Sequence, residues 1–380
     1  MNKRSNIVGT AAVCLANTIG TVPANTSPLI IGGLIAGLAL GEASAGLVLT
    51  CELLLMGIAA TALATQMTHI DKRRASLAGA ALILLGHGFA AASEGLIALL
   101  MWRSIAGIGG GIVLAAVNAT IAGAPNPLRL YGLVLMVTPL IGAVIALIMS
   151  RAIATFAHSG AYGVLALLTL VVIPALFAFP DYRKVGEAAE PAHLTDYRRG
   201  IALLLAIFLM GANMMAYFAF VERLGVRLDL PIERIGNIFA VVVIAGAVGA
   251  GLAGALGNRI GLRLPLIVGT AIHAAAMVLV LQFVAFPAYV VGAVLEGFSY
   301  VFALTFQFAL AASLDFHGRW AAAASGAFLL SLGVGPYLGG VLIETAGFGA
   351  LIPLTITSTV VVLAIFWWAS GETQAVAVSD

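Results

Sequence analysis

Three charged residues interrupt apolar stretches of the chain, and their types could do chemistry in a nonpolar setting. Arg103 lies within "LLMWRSIAGIGGGIVL", Glu52 within "TCELLL" and Glu296 within "AVLEGFSY". A charge buried in hydrocarbon is costly, so it persists only where a cavity or a partner receives it. One base and two acids could form a buried ion pair, bind an anion or exchange a proton.

The composition indicates a membrane protein. Apolar residues make up 62% of the 380 residues and charged residues 9%, which is more apolar surface than a soluble domain can bury. The net charge of +2 is too small to suggest nucleic-acid binding. Cys14 and Cys51 lie in apolar runs without a disulfide or metal-ligand spacing, so we expect no metal or cofactor. The first apolar stretch exceeds about 20 residues and predicts a spanning helix instead of a signal peptide.

Charged and Pro/Gly-rich breaks divide the chain into twelve apolar segments, each near the ~20 residues that span a bilayer. The fold class predicted is therefore an all-α membrane protein with twelve transmembrane helices in two pseudo-symmetric six-helix bundles. The bundles cover 1–180 and 200–370, with a cytoplasmic linker loop at 181–199 and a short cytoplasmic tail at 371–380. The segments are 7–31, 45–67, 76–93, 95–122, 130–152, 161–180, 200–221, 235–257, 263–285, 287–311, 321–344 and 347–369.

The distribution of Lys and Arg between alternate connections predicts the orientation. One side holds 13 of the 18 and the other holds 4, while Arg103 belongs to neither. Basic residues favour the cytoplasmic side, so both termini and the linker should face the cytoplasm, with the chain in the cytoplasmic (inner) membrane. The smaller group is Arg151, Arg223, Arg227 and Arg234.

An internal repeat supports the six-plus-six division. The stretch "TPLIGAVI" in segment 5 returns as "GPYLGGVL" in segment 11, and "LAN" in segment 1 returns as "GAN" in segment 7. Chance similarity among Gly/Ala-rich helices is the alternative. Two related halves place a binding site between them, near the middle of the bilayer. The repeat-related pairs are Pro139 with Pro336, Gly142 with Gly339, and Asn17 with Asn213.

These features resemble the major facilitator superfamily over nearly the whole chain. Its Gly-x-x-x-Asp-Arg-x-Gly-Arg signature is similar to "GALGNRIGLR" after segment 8, although Asn258 replaces the aspartate. The copy after segment 2, "ATQMTHIDKRR", keeps only its basic end. The resemblance implies the superfamily fold and assigns conformational roles to Gly254, Arg259, Gly261 and Arg263.

Further glycine patterns carry the same resemblance. "RSIAGIGGG" matches the helix-4 signature of the family, and "SLGVGPYLGG" matches its helix-11 pattern. The helix-5 version, where exporters carry their motif, keeps Pro139 and Gly142 and so favours export only weakly. Glycines let helices approach closely. The residues assigned by these patterns are Gly107, Gly109, Gly111, Gly335, Pro336, Gly339 and Gly340.

The three intramembrane charges should lie at one depth. Glu52, Arg103 and Glu296 fall about 10–14 Å below the outer boundary at 1.5 Å per residue. We therefore expect Arg103 to neutralise Glu52, Glu296 or an anionic substrate, which leaves an excess acid able to load and release a proton. A static ion pair between helices 2 and 4 is the alternative. Glu296 is the preferred proton carrier, because helix 10 lines the cavity in the family that the chain resembles.

Other polar residues are weaker candidates for substrate contact. Interhelical hydrogen bonding or plain packing would explain them equally well. His87 and His273 are predicted to be structural, since helices 3 and 9 are peripheral in the family. The candidates are Asn17, Asn213, Tyr217 and Tyr300.

We expect a monomeric secondary transporter in the lipid bilayer, coupled to protons and moving a small organic solute with an apolar or aromatic part. The pattern favours efflux by an antiporter. Uptake of an aromatic or carboxylated nutrient by a symporter is the alternative, and an intramembrane enzyme or receptor is a remote one. The sequence contains no HExxH motif, phosphate-binding loop or matched nucleophile, histidine and acid, so we expect no enzymatic activity.

Overall fold

Apolar helices make up nearly all of the computed structural model, which describes residues 3–64, 66–182, 197–314 and 319–370. Within these ranges there is no β-strand. Most of the linker loop, the whole C-terminal tail and the side chain of Arg259 lie outside the described residues. The predicted all-helical membrane protein is confirmed.

The first half of the chain forms six helices, which depart in two places from the simple pattern of one helix per span. The first span is interrupted at Thr26, which separates α1 from α2. Conversely, α6 contains the fifth and sixth predicted segments and is kinked at Ala157, whose φ of 47° is non-helical. The helices are α1 Lys3–Asn25, α2 Ser27–Leu38, α3 Glu42–Leu63, α4 Lys72–Ala91, α5 Leu96–Gly123 and α6 Pro127–Leu176.

The second half repeats this arrangement with a short extra helix. The seventh span is broken after Phe218, so that α8 continues it beyond the predicted end. The helices are α7 Tyr197–Phe218, α8 Val221–Val226, α9 Ile232–Leu256, α10 Arg263–Gln282, α11 Phe286–Ser313, α12 Arg319–Ala346 and α13 Leu351–Ala369.

The described helices account for the predicted spans. Eleven of them are long and apolar enough to cross a membrane, and one, Arg129–Leu176, has 48 residues. Because a span needs about 20 residues, this helix can hold two of the predicted segments. The cytoplasmic placement of the termini and the division into two domains stay predictions.

The two halves meet along α3 and α12, where small residues allow backbone contact. Gly46 on α3 faces the carbonyl group of Pro336, and Gly57 faces the backbone of Leu329. The backbone N–H of Tyr337 also donates to Oγ1 of Thr50 at 3.0 Å. In a bilayer, such close packing replaces the hydrophobic effect as the force that joins helices.

Further contacts close the interface at the end that holds the α2–α3 and α8–α9 connections, called here the distal end. A carboxylate oxygen of Glu344 on α12 accepts a hydrogen bond from the backbone N–H of Ala43 at 2.8 Å. Gly236 on α9 lies against the side chain of Ser150 on α6. The halves are therefore held together at this end by three pairs of helices. These are α3 with α12, α6 with α9, and α2 with α8, whose contact is described below.

Replacing Gly46 with alanine should weaken the distal closure, since the new Cβ would collide with the Pro336 carbonyl group. Overpacking of this kind costs about 1–3 kcal/mol. The test uses a cysteine introduced at Ile31, which is buried, and an impermeant maleimide applied from the distal side. We expect this cysteine to react about tenfold faster in Gly46→Ala than in the protein that keeps Gly46. Gly163→Ala is the matched control, because its Cβ would meet no atom within 4 Å. Equal labelling in both variants would contradict the assignment.

Candidate functional site

Arg103 is fully enclosed by side chains of the first half. It forms an ion pair with Glu52, and both side chains are almost completely buried. Its guanidinium group also contacts Nδ1 of His87 and lies 4.5 Å from the centre of the Tyr162 ring. The ring and the carboxylate both favour the cation. The structure thus selects Glu52 from the possible partners that the sequence left open.

Glycines on α5 bring these groups together. Gly107 faces the backbone of Glu52 on α3, and Gly111 faces the next turn of the same helix. On another side of α5, Gly109 lies against the carbonyl oxygen of Gly79 on α4. Because a Cβ at these positions would collide with backbone, the glycines set the short interhelical distances that let Arg103 reach Glu52. The helix-4 motif therefore has a direct physical use here.

Arg103→Ala should destabilise the protein, since it leaves the Glu52 carboxylate buried without its cation. Breaking a buried pair in this way costs about 3–5 kcal/mol. We expect the midpoint of thermal unfolding in detergent to fall, and Glu52→Gln added to Arg103→Ala to restore much of it. Glu296→Gln added instead should restore nothing. Equal rescue by both glutamines would contradict the pairing.

A cavity of about 220 Å³ lies between the halves and contains the second buried acid. It is called here the Glu296 cavity. The helices that line it are α1, α6, α7, α9, α11 and α12. Helix α5, the fourth span and the helix that carries Arg103, contributes no residue to this lining. The lining includes Asn25, Pro139, Met214, Met215, Phe218, Glu296, Tyr300 and Phe328.

His273 and Tyr300 lie beside Glu296, and Tyr300 also lines this cavity. Nδ1 of His273 lies 3.6 Å from Oε1 of Glu296, and its ring centre is 5.2 Å from that of Tyr300. Neither nitrogen of His273 has a hydrogen-bond partner among the described residues. This histidine, predicted to be structural, is thus the neighbour of the acid.

A signal for the His273–Glu296 contact was present in the sequence. Helices α10 and α11 form an antiparallel hairpin across the turn at residues 283–285. His273 lies 10 residues before this turn and Glu296 lies 11 residues after it. In such a hairpin, positions at equal distances from the turn share one depth, so the two side chains could have been paired by counting.

The repeat-related asparagines serve contacts within their own halves. Asn17 donates to Oγ1 of Thr138 at 3.1 Å, which joins α1 to α6. Asn213 accepts from Oγ1 of Thr355 at 3.2 Å, which joins α7 to α13. Tyr217 is 1% exposed. None of the three predicted residues Asn17, Asn213 and Tyr217 is among those that line the Glu296 cavity.

Glu222 is a buried acid that the sequence reasoning missed. It lies on α8 with 2% exposure, and its carboxyl group faces Gly32 on α2 across the distal interface. Its nearest cation is Arg223, whose Nη1 is 3.8 Å from Oε2. Segment 7 was predicted to end at residue 221, which placed Glu222 in a loop. The apolar residues that follow it, in α8, were the available signal.

The glycine motif of α12 packs as its residue types predict, whereas Gly142, the repeat partner of Gly339, does not. Gly335 and Gly339 on α12 face the backbone of α7, and Gly340 faces the backbone of Glu42. In contrast, a Cβ at Gly142 would meet no atom within 4 Å. Its neighbour Pro139 lines the Glu296 cavity instead. The repeat is therefore visible in sequence but unequal in packing.

The motif between α9 and α10 shapes the turn between these helices and makes one contact with α13. Gly261 has a φ of 68°, a left-handed conformation that glycine adopts without strain. The guanidinium group of Arg263 lies 3.3 Å from the centre of the Trp367 ring on α13. Gly254 makes no close approach, because a Cβ there would meet no atom within 4 Å. The turn and the α10–α13 contact are what this motif provides.

A bundle of apolar spans in two halves, with a cavity between them and buried charged residues, is the architecture of a multi-pass membrane transporter. The sequence profile of the Major Facilitator Superfamily matches residues 7–314. The chain belongs to this superfamily. No curated protein matches the chain significantly.

Solved structures share the fold at low identity. One is the inward-facing, occupied form of a bacterial homologue of the human lysosomal transporter Spinster, with a TM-score of 0.73, 14% identity and coverage of 97% of this chain and 98% of that one. Its unoccupied form has a TM-score of 0.69. A mutant of the nucleoside transporter NupG has a TM-score of 0.74, 13% identity and coverage of 95% and 98%. Membership of this family identifies a transporter and not an enzyme.

Proposed function

We propose that this secondary transporter exports a small organic solute with an apolar or aromatic part across the cytoplasmic membrane in exchange for protons. The observation that carries the proposal is Glu296, a 3% exposed acid at the wall of the Glu296 cavity. An ionisable residue inside a membrane bundle marks an ion or substrate pathway by default. A carboxylate that reaches such a cavity can take up a proton from one side and release it to the other.

The lining of the cavity supports an apolar or aromatic solute. Flexible and aromatic side chains are prominent in it, among them Met214, Met215, Phe218 and Phe328. Methionine side chains adapt to different shapes, and aromatic rings offer large flat contact areas. A solute bound here contacts both halves, since Asn25 and Pro139 come from the first half and the four residues named above come from the second.

Glu296 carries the proton in this proposal, and Glu52 does not. Glu52 is committed to Arg103 within the first half, and removing either partner leaves a buried charge. Arg103 and Glu52 together are proposed to hold α3 against α5 so that the first half moves as one body. Export is the favoured direction because Pro139 and Gly142 keep part of the helix-5 motif that exporters of the family carry.

Reconstitution into proteoliposomes tests the coupling. Solutes that raise the unfolding temperature of the purified protein, chosen from organic acids, amino acids and cationic drugs, are assayed for uphill flux under a pH gradient alone. Glu296→Gln cannot release a proton, so it should lose uphill flux and retain solute exchange at equal pH. Glu233→Gln is the matched control, because Glu233 is exposed in the first turn of α9.

Uphill flux that is undiminished in Glu296→Gln would move the proton to another acid and overturn the assignment. Turnover of the solute without flux would favour an intramembrane enzyme and overturn the proposal as a whole.

A further inference from the structure

Among the described residues that line the Glu296 cavity, Glu296 is the one that can carry a charge, and that charge is negative. Glu296 carries the carboxylate, Tyr300 a phenol and Asn25 an amide, and the other described residues that line the cavity are apolar. No Lys, Arg or His is among these lining residues. A charged solute in this space therefore meets one acid and no base.

Arg103 does not change this balance. Its guanidinium group is 0% exposed and is enclosed by Glu52, His87 and Tyr162 of the first half. An anionic solute at the cavity would therefore be placed beside a carboxylate without a cation to compensate it. Burying a charge without a partner is strongly unfavourable, and a like charge adds repulsion. A cation would instead find its counter-ion in place.

Three titratable groups face Glu296 from the elements packed around it. His273 on α10 lies 3.6 Å from its carboxylate, Tyr300 lies one turn further along α11, and Tyr217 on α7 lies within electrostatic range. The residues of α9 and α12 that line the cavity are apolar. Of these groups, Glu296 is the acid that a solute in the cavity can contact.

We propose that the Glu296 cavity binds a monovalent organic cation with an aromatic or apolar body, and that this cation and a proton compete for the Glu296 carboxylate. Aromatic faces next to the acid add attraction for a cation, and Phe218, Tyr300 and Phe328 supply them. One carboxylate holds either ligand but not both. Each cycle therefore exchanges one proton for one monovalent cation, and no net charge crosses the membrane.

This inference rests on the proposed function for its transport step, while its binding step can be measured separately. A matched set of probes shares one aromatic ring: benzyltrimethylammonium as a fixed cation, phenylacetamide as a neutral solute and phenylacetate as an anion. We expect the purified protein to bind the cation with release of a proton to a weakly buffered solution. We expect about tenfold or more weaker binding of the other two.

Variants separate the carboxylate from general damage to the fold. Glu296→Gln should lose the proton release and most of the affinity for the cation, whereas Glu296→Asp should keep the proton release. Glu233→Gln, at an exposed acid, should behave as the wild type. Three results would overturn the inference. They are cation binding by the wild type without proton release, unchanged affinity for the cation in Glu296→Gln, and tighter binding of phenylacetate than of the cation.

Proteoliposomes test the exchange ratio. A pH gradient should drive benzyltrimethylammonium uphill, and a membrane potential clamped with valinomycin and potassium should have no effect. The dication 1,4-bis(trimethylammoniomethyl)benzene, if it is carried, should respond to the potential. A monocation flux that follows the potential would show that a second proton, for example on His273, also moves, and would overturn the one-for-one ratio.

The two proposals fail differently. Proton release on cation binding without any pH-driven flux would overturn the proposed coupled export and leave the shared carboxylate intact. Uphill flux of phenylacetamide or phenylacetate, with no cation binding, would keep proton-coupled transport and overturn the competition at Glu296.

Discussion

The cost of placing charge in an apolar bundle constrains the whole structure. Arg103 meets this cost with a carboxylate, a histidine and an aromatic ring, each from a different helix of the first half. Four helices are thereby tied to one side chain. Because removing either Glu52 or Arg103 leaves the other charge buried without compensation, the first half is committed to the arrangement of α3 and α5 that keeps the two together. The other functional features of the protein depend on which buried charges have a partner of opposite charge and which do not.

Close packing of the helices makes the contact between Arg103 and its partners possible. An arginine reaches its acid only if the helices that carry them touch, and the glycines of α5 remove the side chains that would keep α3 and α4 away. The same device operates between the halves, where Gly46 and Gly340 bring α3 and α12 into backbone contact. In a membrane, where lipid is as apolar as the helices, small residues supply most of the specificity of packing.

The two halves use buried charge differently despite their repeat. The first half pairs its acid with a base, so this acid is part of the core. In the second half, the buried acid adjoins a histidine and a phenol and reaches a cavity between the halves. Glu222, at the distal interface, is a further buried acid with only a loosely placed cation. The two pseudo-symmetric halves therefore place their buried acids differently, one in an ion pair within the core and one at the wall of a cavity.

The sequence by itself determined how many apolar spans the chain has and most of their bounds to within a few residues, and it predicted that Glu52, Arg103 and Glu296 lie at one depth. These are properties of position along a helix, which apolar length and a fixed rise per residue set directly. Only the tertiary structure decided that Arg103 pairs with Glu52 and that His273 accompanies Glu296. It also showed that α5 stays away from the Glu296 cavity and that Glu222 is buried. Those facts concern which helix faces which, and an apolar helix surrounded by lipid and by similar helices carries little of that information in its own pattern.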